Sequence, residues 1–285
     1  MDSSFLFGLT MIAYILASAM YMGGFLFKAP RLSLAGTCLT WGGVALHSFA
    51  TLLRWQETHQ VGDGHAPLTN MYESLVFFAL CIALIHLYLE HRHKLRALGA
   101  FVMPLAAVSM AYASFSDRID DSIKPLIPAL QSNWLIAHVV TCFIGYGAFA
   151  IASALGLMYL LKRPRQEQDK QEEQEKTERF LPSLAKIDEL IHKTLIFGFL
   201  WLSAGIITGA IWANEAWGTY WSWDPKETWS IITWFLYALT LHARFTRGWS
   251  GTRIAWLSIA GFVAVLFTYF GVNFFLSGLH SYGAS

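Results

Sequence analysis

WLIAHVVTCFIGYGAFAIASALGLMYLL, residues 134–161, contains no Asp, Glu, Lys or Arg. A helix of that length, rising about 1.5 Å per residue, exceeds the roughly 30 Å hydrocarbon layer of a bilayer. Runs of the same kind recur on both sides of it, at about 5–27, 33–53, 71–89, 97–113, 191–212, 227–245 and 254–275. The fourth is short and contains Pro104, so its ends are the least defined. Hydrophobic residues make up 55% of the 285-residue chain and charged residues 14%. An average soluble domain is about 25% charged, so this chain has too little polar surface to cover a soluble globule. The expected fold is all-α, a polytopic transmembrane bundle of about eight spans.

An even number of spans puts both termini on one side. Of the 20 Lys and Arg residues, Arg54, Arg118, Lys124 and Lys226 fall on the side of the loops at 54–70, 114–133 and 213–226, and the other sixteen fall opposite. The excess of positive charge marks the inner side, so both termini are expected to face outward. Asp2 stands where a cleavable signal peptide would carry positive charge, which makes the first run a retained span. For description, residues 1–130 hold spans one to four and their outer loops, and residues 131–285 hold spans five to eight and an outer loop at 213–229. Residues 162–190 form a charged inner linker between spans five and six, which includes KRPRQEQDKQEEQEKTER, residues 162–179. No nucleotide-binding glycine pattern is present, which argues against an ATP-driven pump. No internal repeat is evident, and this weakens a reading as a secondary transporter. Cys38, Cys81 and Cys142 stand singly in apolar stretches, so thiol–disulfide chemistry is not expected of this chain.

The most unusual stretch is NEAWGTYWSWDPKETW, residues 214–229. Trp217, Tyr220, Trp221, Trp223 and Trp229 crowd one outer loop beside Asp224, Lys226 and Glu227. Flat indole faces suit a planar macrocycle, an interfacial aromatic belt explains part of the pattern, and a partner-docking surface is the third reading. His138, about one turn inside the outer end of span five, and His280, just past the outer end of span eight, share the side of this loop. Neutral imidazoles are suitable axial ligands for haem iron, and two can hold it six-coordinate. His242 lies near the inner end of span seven and is expected to face the bundle, since an imidazole against lipid is costly. Depth favours His86 over His47 as its companion. His192 reads as interfacial, His59 and His65 as loop residues, and His91 and His93 as members of a basic inner turn. In APLTNMYES, residues 66–74, Thr69 or Asn70 is expected to cap span three.

WGTYWSWDPKETW, residues 217–229, resembles the hallmark of the CcsA/ResC family of system II cytochrome c biogenesis, within the haem-handling proteins that carry a tryptophan-rich WWD domain. The resemblance extends through LLRWQETHQVGDGHAPLTNMYES (52–74), QSNWLIAHVV (131–140), WFLYALTLHAR (234–244) and FTYFGVNFFLSGLHSYG (267–283). The charged insert near 165–180 departs from the family pattern without touching the motif. The resemblance implies that His138 and His280 ligate an external haem b. It implies that Trp217, Trp221, Trp223, Asp224 and Trp229 support that haem. His242 matches a histidine of a second haem site within the membrane, whose other ligand is expected from a CcsB/ResB-like subunit.

The implied activity is attachment of haem to apocytochrome c through the thiols of a CxxCH sequence, with thiol-reducing proteins as further partners and no role for nucleic acid. The implied place is a bacterial inner or plasma membrane or a plastid thylakoid membrane. No residue is assigned as acid or base: Asp224 and Glu227 could brace the loop and Lys226 could pair with them. Arg54, Trp55, Arg118 and Lys124 are read as snorkelling or solvated groups, with haem propionates or an acidic partner as the alternative. The competing functions are a haem exporter or chaperone completed by its partner, a quinol-oxidising dihaem protein and a small-solute transporter.

Overall fold

A computed structural model of the chain describes residues 2–62, 64–168, 181–276 and 278, without the side chains of 163–168. Most of the linker insert, at 169–180, and His280 lie outside the described residues. The eight runs correspond to eight principal helices: α1 (Ser3–Leu26), α2 (Pro30–Val61), α3 (Met71–His93), α4 (Gly99–Phe115), α5 (Asn133–Gln168), α6 (Leu184–Trp217), α7 (Pro225–Arg247) and α8 (Thr252–Phe275). Helix α4 follows a 3₁₀ turn at Arg96–Leu98 and continues through Pro104. Helix α5 runs well beyond the apolar stretch, into the charged segment. By length and composition, six of these helices can cross a membrane, namely all but α2 and α7. The chain is thus an all-α polytopic membrane bundle. Its outer surface carries Ile12, Leu16, Phe49, Leu200, Phe235, Leu239, Trp256 and Val263 exposed on different helices. Such a surface suits lipid and would be an aggregation liability in water.

Helices α1 and α2 pack side by side, α1 and α3 each pack on α4, and α3 and α8 both pack on α5. The longest contact is between α5 and α6. It is close because α6 presents glycines to α5: a Cβ at Gly205 would lie 2.5 Å from Cys142 Sγ, and one at Gly198 would lie 2.7 Å from the Phe149 ring. Small residues let helix backbones approach where lipid supplies no hydrophobic drive for association. Further in, Phe149 stacks on Tyr237 of α7, with centroids 3.6 Å apart and planes 5° apart.

The loops at 64–70 and 116–127 are tied to the bundle by Arg54, which corrects its reading as a snorkelling group. Its side chain is 1% exposed, and its Nε lies 2.8 Å from Glu73 Oε1. Its Nη2 donates to Asp121 O at 2.7 Å, and the guanidinium sits 5.0 Å from the centre of the Tyr72 ring. Glu73 Oε2 accepts from both Thr69 N and Thr69 Oγ1 at 3.0 Å, while the Glu73 amide donates to Asn70 Oδ1 at 2.8 Å. Asn70 is therefore the cap of α3, and one ion pair joins α2, α3 and the 116–127 loop. Lys124 behaves as a solvated group, 2.8 Å from Asp120 Oδ2. That hydrogen bond holds the Asp120 carboxyl well below the usual carboxylate range.

Removing one partner of a buried pair leaves a charge without compensation, at a cost of about 3–5 kcal/mol. Arg54→Ala is expected to lower stability by that order in detergent unfolding. Arg54→Met combined with Glu73→Leu should recover most of the loss; a double variant as unstable as the single one would contradict the role of the pair.

Candidate functional site

The loop between α6 and α7 begins where Gly218, at φ +76°, ends α6 and its N–H donates to Asn214 O. A left-handed residue here lets the chain turn out of the helix, and glycine does so without a Cβ penalty. The loop ends at Asp224, whose side chain caps α7, with Pro225 in the first turn. Glu227 completes a capping box: its Oε2 accepts from Ser222 N at 2.8 Å and from Asp224 N at 3.2 Å. Both carboxylates brace the loop. They hold Trp223 at φ +59°, a backbone region uncommon for a residue with a Cβ.

The loop aromatics divide into groups. Trp221 and Trp223 meet edge to face, with centroids 5.7 Å apart, and Trp223 is 72% exposed. Trp229 packs on Phe267 of α8 at 4.2 Å. Trp217 meets Trp212 at 4.9 Å, and Trp212 in turn lies nearly parallel to the His138 ring, 6.0 Å away and 16° from it in plane. Trp212 Nε1 donates to Ala129 O at 2.9 Å, which fixes the indole against the turn that precedes α5.

His138 is fixed from its other side by α6. Its Nδ1 lies 2.7 Å from Gly205 O. A carbonyl can only accept, so Nδ1 carries the proton and the tautomer places the lone pair on Nε2, the atom that would meet a metal. The ring has room because residue 209 is glycine: a Cβ there would lie 2.5 Å from Nδ1. His138 lines a cavity of about 170 Å³ together with Cys142, Tyr146, Tyr220, Trp221, Lys226 and Tyr269. Helix α8 opens into a π-helical turn at Phe267–Gly271 where Thr268 and Tyr269 reach this cavity; such turns are frequent at functional sites. Tyr269 Oη hydrogen-bonds Ser74 Oγ at 2.5 Å, bridging α8 to α3. Two neighbouring cavities on the same side share Thr69 and Leu130 with the first.

Of the other expected ligands, His280 lies outside the described residues. Gly278 is described: a Cβ there would lie 2.3 Å from Asp224 Oδ2, so the chain just before His280 passes against the base of the loop. His242 does not face the bundle as expected. It is exposed, because Thr233, Tyr237, Thr240 and Leu241 form the buried side of α7. His47 and His86 are fully buried elsewhere, beside Tyr14 Oη at 3.3 Å and Glu90 Oε2 at 3.3 Å respectively.

Residues 68–280 match the cytochrome C assembly protein family, which is most of the chain. The chain belongs to this family. It is 42% identical over 239 residues to the cytochrome c biogenesis protein CcsA of Guillardia theta, covering 79% of each chain. It is 37% identical to the protein of the same name from Gloeobacter violaceus, covering 95% of this chain and 93% of that one. Its fold is similar to that of the cytochrome c haem lyase CcmF, with a TM-score of 0.70 at 18% identity. That likeness covers 94% of this chain and 47% of the other. As a cytochrome c assembly protein the chain works in cytochrome c biogenesis, and the matched region contains the loop, His138 and His242.

Trp212, Gly205 and Gly209 were not singled out in the sequence. The available signal was their spacing: Gly205, Gly209 and Trp212 follow at four and three residues, one face of a helix. The capping box gives a direct test of how the loop is held. Glu227→Ala is expected to cost about 1 kcal/mol locally and to speed chymotryptic cleavage at Tyr220, Trp221 or Trp223 several-fold. Cleavage at an unchanged rate would show that the tryptophans hold the loop without the box.

Proposed function

We propose that this chain carries haem b to the outer face of the membrane and holds it there for attachment to apocytochrome c. In this reading all eight helices span the bilayer, both termini and the 213–229 loop lie outside, and the membrane is a bacterial inner or plasma membrane or a thylakoid. His138 and His280 are the axial ligands of the external haem. Trp217, Trp221, Trp223 and Trp229, with Asp224 fixing their loop, wall the ring. The observation that carries the reading is the setting of His138: Nδ1 bound to Gly205 O and Trp212 alongside, in a residue that lines an aromatic cavity.

The chemistry follows from position. Each thiol of CxxCH adds across one vinyl group: a C–S bond forms at the vinyl α-carbon, the thiol hydrogen ends on the β-carbon, and the S–H and vinyl π bonds are lost without net redox change. Holding ring and iron while leaving a vinyl edge open supplies proximity and orientation. The substrate histidine of CxxCH then displaces one protein ligand. The thiols must arrive reduced, and the three cysteines here stand apart from one another in the sequence, so separate thiol-reducing proteins are expected.

The exposure of His242 favours a complex. It continues an outward stripe of Ile232, Phe235 and Leu239 at helical spacing. A CcsB/ResB-like subunit against this stripe would bring the second ligand of a membrane haem, and the enzyme would be the complex. The decisive measurement is the haem-to-protein ratio and visible spectrum of the chain purified with its partner. His138→Ala and His280→Ala are each expected to remove the external bis-histidine signal, and His242→Ala a separate signal that depends on the partner. Wild-type complex lacking haem in cells that make it would sink the proposal.

A further inference from the structure

The sequence left open whether Lys226 pairs with Asp224 and Glu227 beside it. Lys226 lines the His138 cavity, and its Nζ donates to Asn273 Oδ1 of α8 at 3.1 Å. Among the described residues it meets no carboxylate within ion-pair distance. The nearby acids are committed to the loop: Asp224 Oδ1 accepts from the Lys226 backbone N at 2.9 Å, and Glu227 holds Ser222 N and Asp224 N. An ammonium group has three donors, and Asn273 takes one. Most of the surrounding wall is apolar or aromatic, with the Glu227 carboxylate also in it, and burying an ammonium there is costly unless anions offset it.

The remaining outer cations are placed differently. Arg54 is locked to Glu73, Lys124 to Asp120, and the Arg118 guanidinium lies 5.7 Å from the centre of the Phe274 ring, beside a neighbouring cavity. Of the four, Lys226 is the one that lines the cavity containing His138. Haem carries its two propionates on one edge and its vinyl groups on the other side of the ring. We propose that Lys226, supported by Asn273, anchors a haem propionate in this cavity and so determines that the vinyl side is the one presented to the incoming thiols. The inference rests on the proposed haem site and adds the orientation of the ring within it.

The test compares haem b with its dimethyl ester, which keeps ring, iron and vinyl groups but has no carboxylate. Both are titrated into the full chain, with its partner subunit, in lipid nanodiscs, and binding is read from the Soret band. Charge-assisted hydrogen bonds are worth about tenfold or more in affinity, so wild type is expected to prefer the diacid by at least about tenfold. Lys226→Gln brings the two ligands to within about twofold, Lys226→Arg keeps most of the preference and Asn273→Ala leaves an intermediate one. Arg118→Gln keeps it in full. His138→Ala weakens both ligands alike, which separates iron ligation from propionate binding. Equal binding of the two ligands by folded wild type, or a preference that survives in Lys226→Gln, overturns the inference while leaving the haem site intact. Failure of folded wild type to bind either ligand overturns both.

Discussion

The site depends on how closely α5 approaches α6. Helices in lipid gain little from hiding apolar surface, so their association rests on backbone proximity and on polar contacts made across it. Here the two coincide. Glycine at 205 lets the Cys142 thiol sit over the α6 backbone, and the same carbonyl that this approach exposes accepts the proton of His138 Nδ1. Four residues on, glycine at 209 makes room for the imidazole itself. A larger side chain at either position would separate the helices or turn the ring, and the tautomer that presents Nε2 would lose its fixing bond. Helix packing and the orientation of the imidazole are therefore set by one seam.

A second constraint acts on the loops. Polar backbone between helices needs partners, and both loop segments around the cavity find them in carboxylates supplied by helix starts. Glu73, in the first turn of α3, holds Thr69 and Arg54; Glu227, in the first turn of α7, holds Ser222 and Asp224. In each case a negative charge sits at a helix N-terminus, where the backbone dipole favours it. The acidic residues of the tryptophan-rich loop thus act on the backbone, while Lys226 is among the residues that line the cavity.

These two constraints also explain which features were legible in the sequence. Long apolar runs fixed the helices to within a few residues at most ends, since hydropathy is a local property. The exceptions, such as the extensions of α2, α5 and α6 past their apolar stretches, follow from residues that are polar yet still helical. The tryptophan loop and His138 were legible because their residue types are rare in that density. What was not legible depends on pairing across the chain. Arg54 looked like a surface cation because nothing local reveals that Glu73 and the Asp121 carbonyl meet it. Whether Lys226 pairs with its sequence neighbours was not legible either, because the capping box that occupies them is a property of the folded turn. Trp212 passed as one more apolar residue of a span because its value lies in facing His138, two helices being needed to see it.

The inward orientation expected of His242 failed for a more instructive reason. The premise was sound: an imidazole against lipid is costly, so it should be turned inward. Inward, however, was judged within a single chain. On α7 the buried side is filled by Thr233, Tyr237, Thr240 and Leu241, and His242 falls about 100° further round, among side chains that lipid would accept. Ile232, Phe235 and Leu239 are at ease in hydrocarbon and His242 is not. The same cost that argued for burial in this bundle then argues that the stripe is covered by something else, with a polar or metal-bearing group at the depth of the imidazole. The membrane subunit of the proposed complex would meet that requirement. The residue that contradicted the single-chain expectation is thereby the strongest physical argument in this chain for a heteromeric complex.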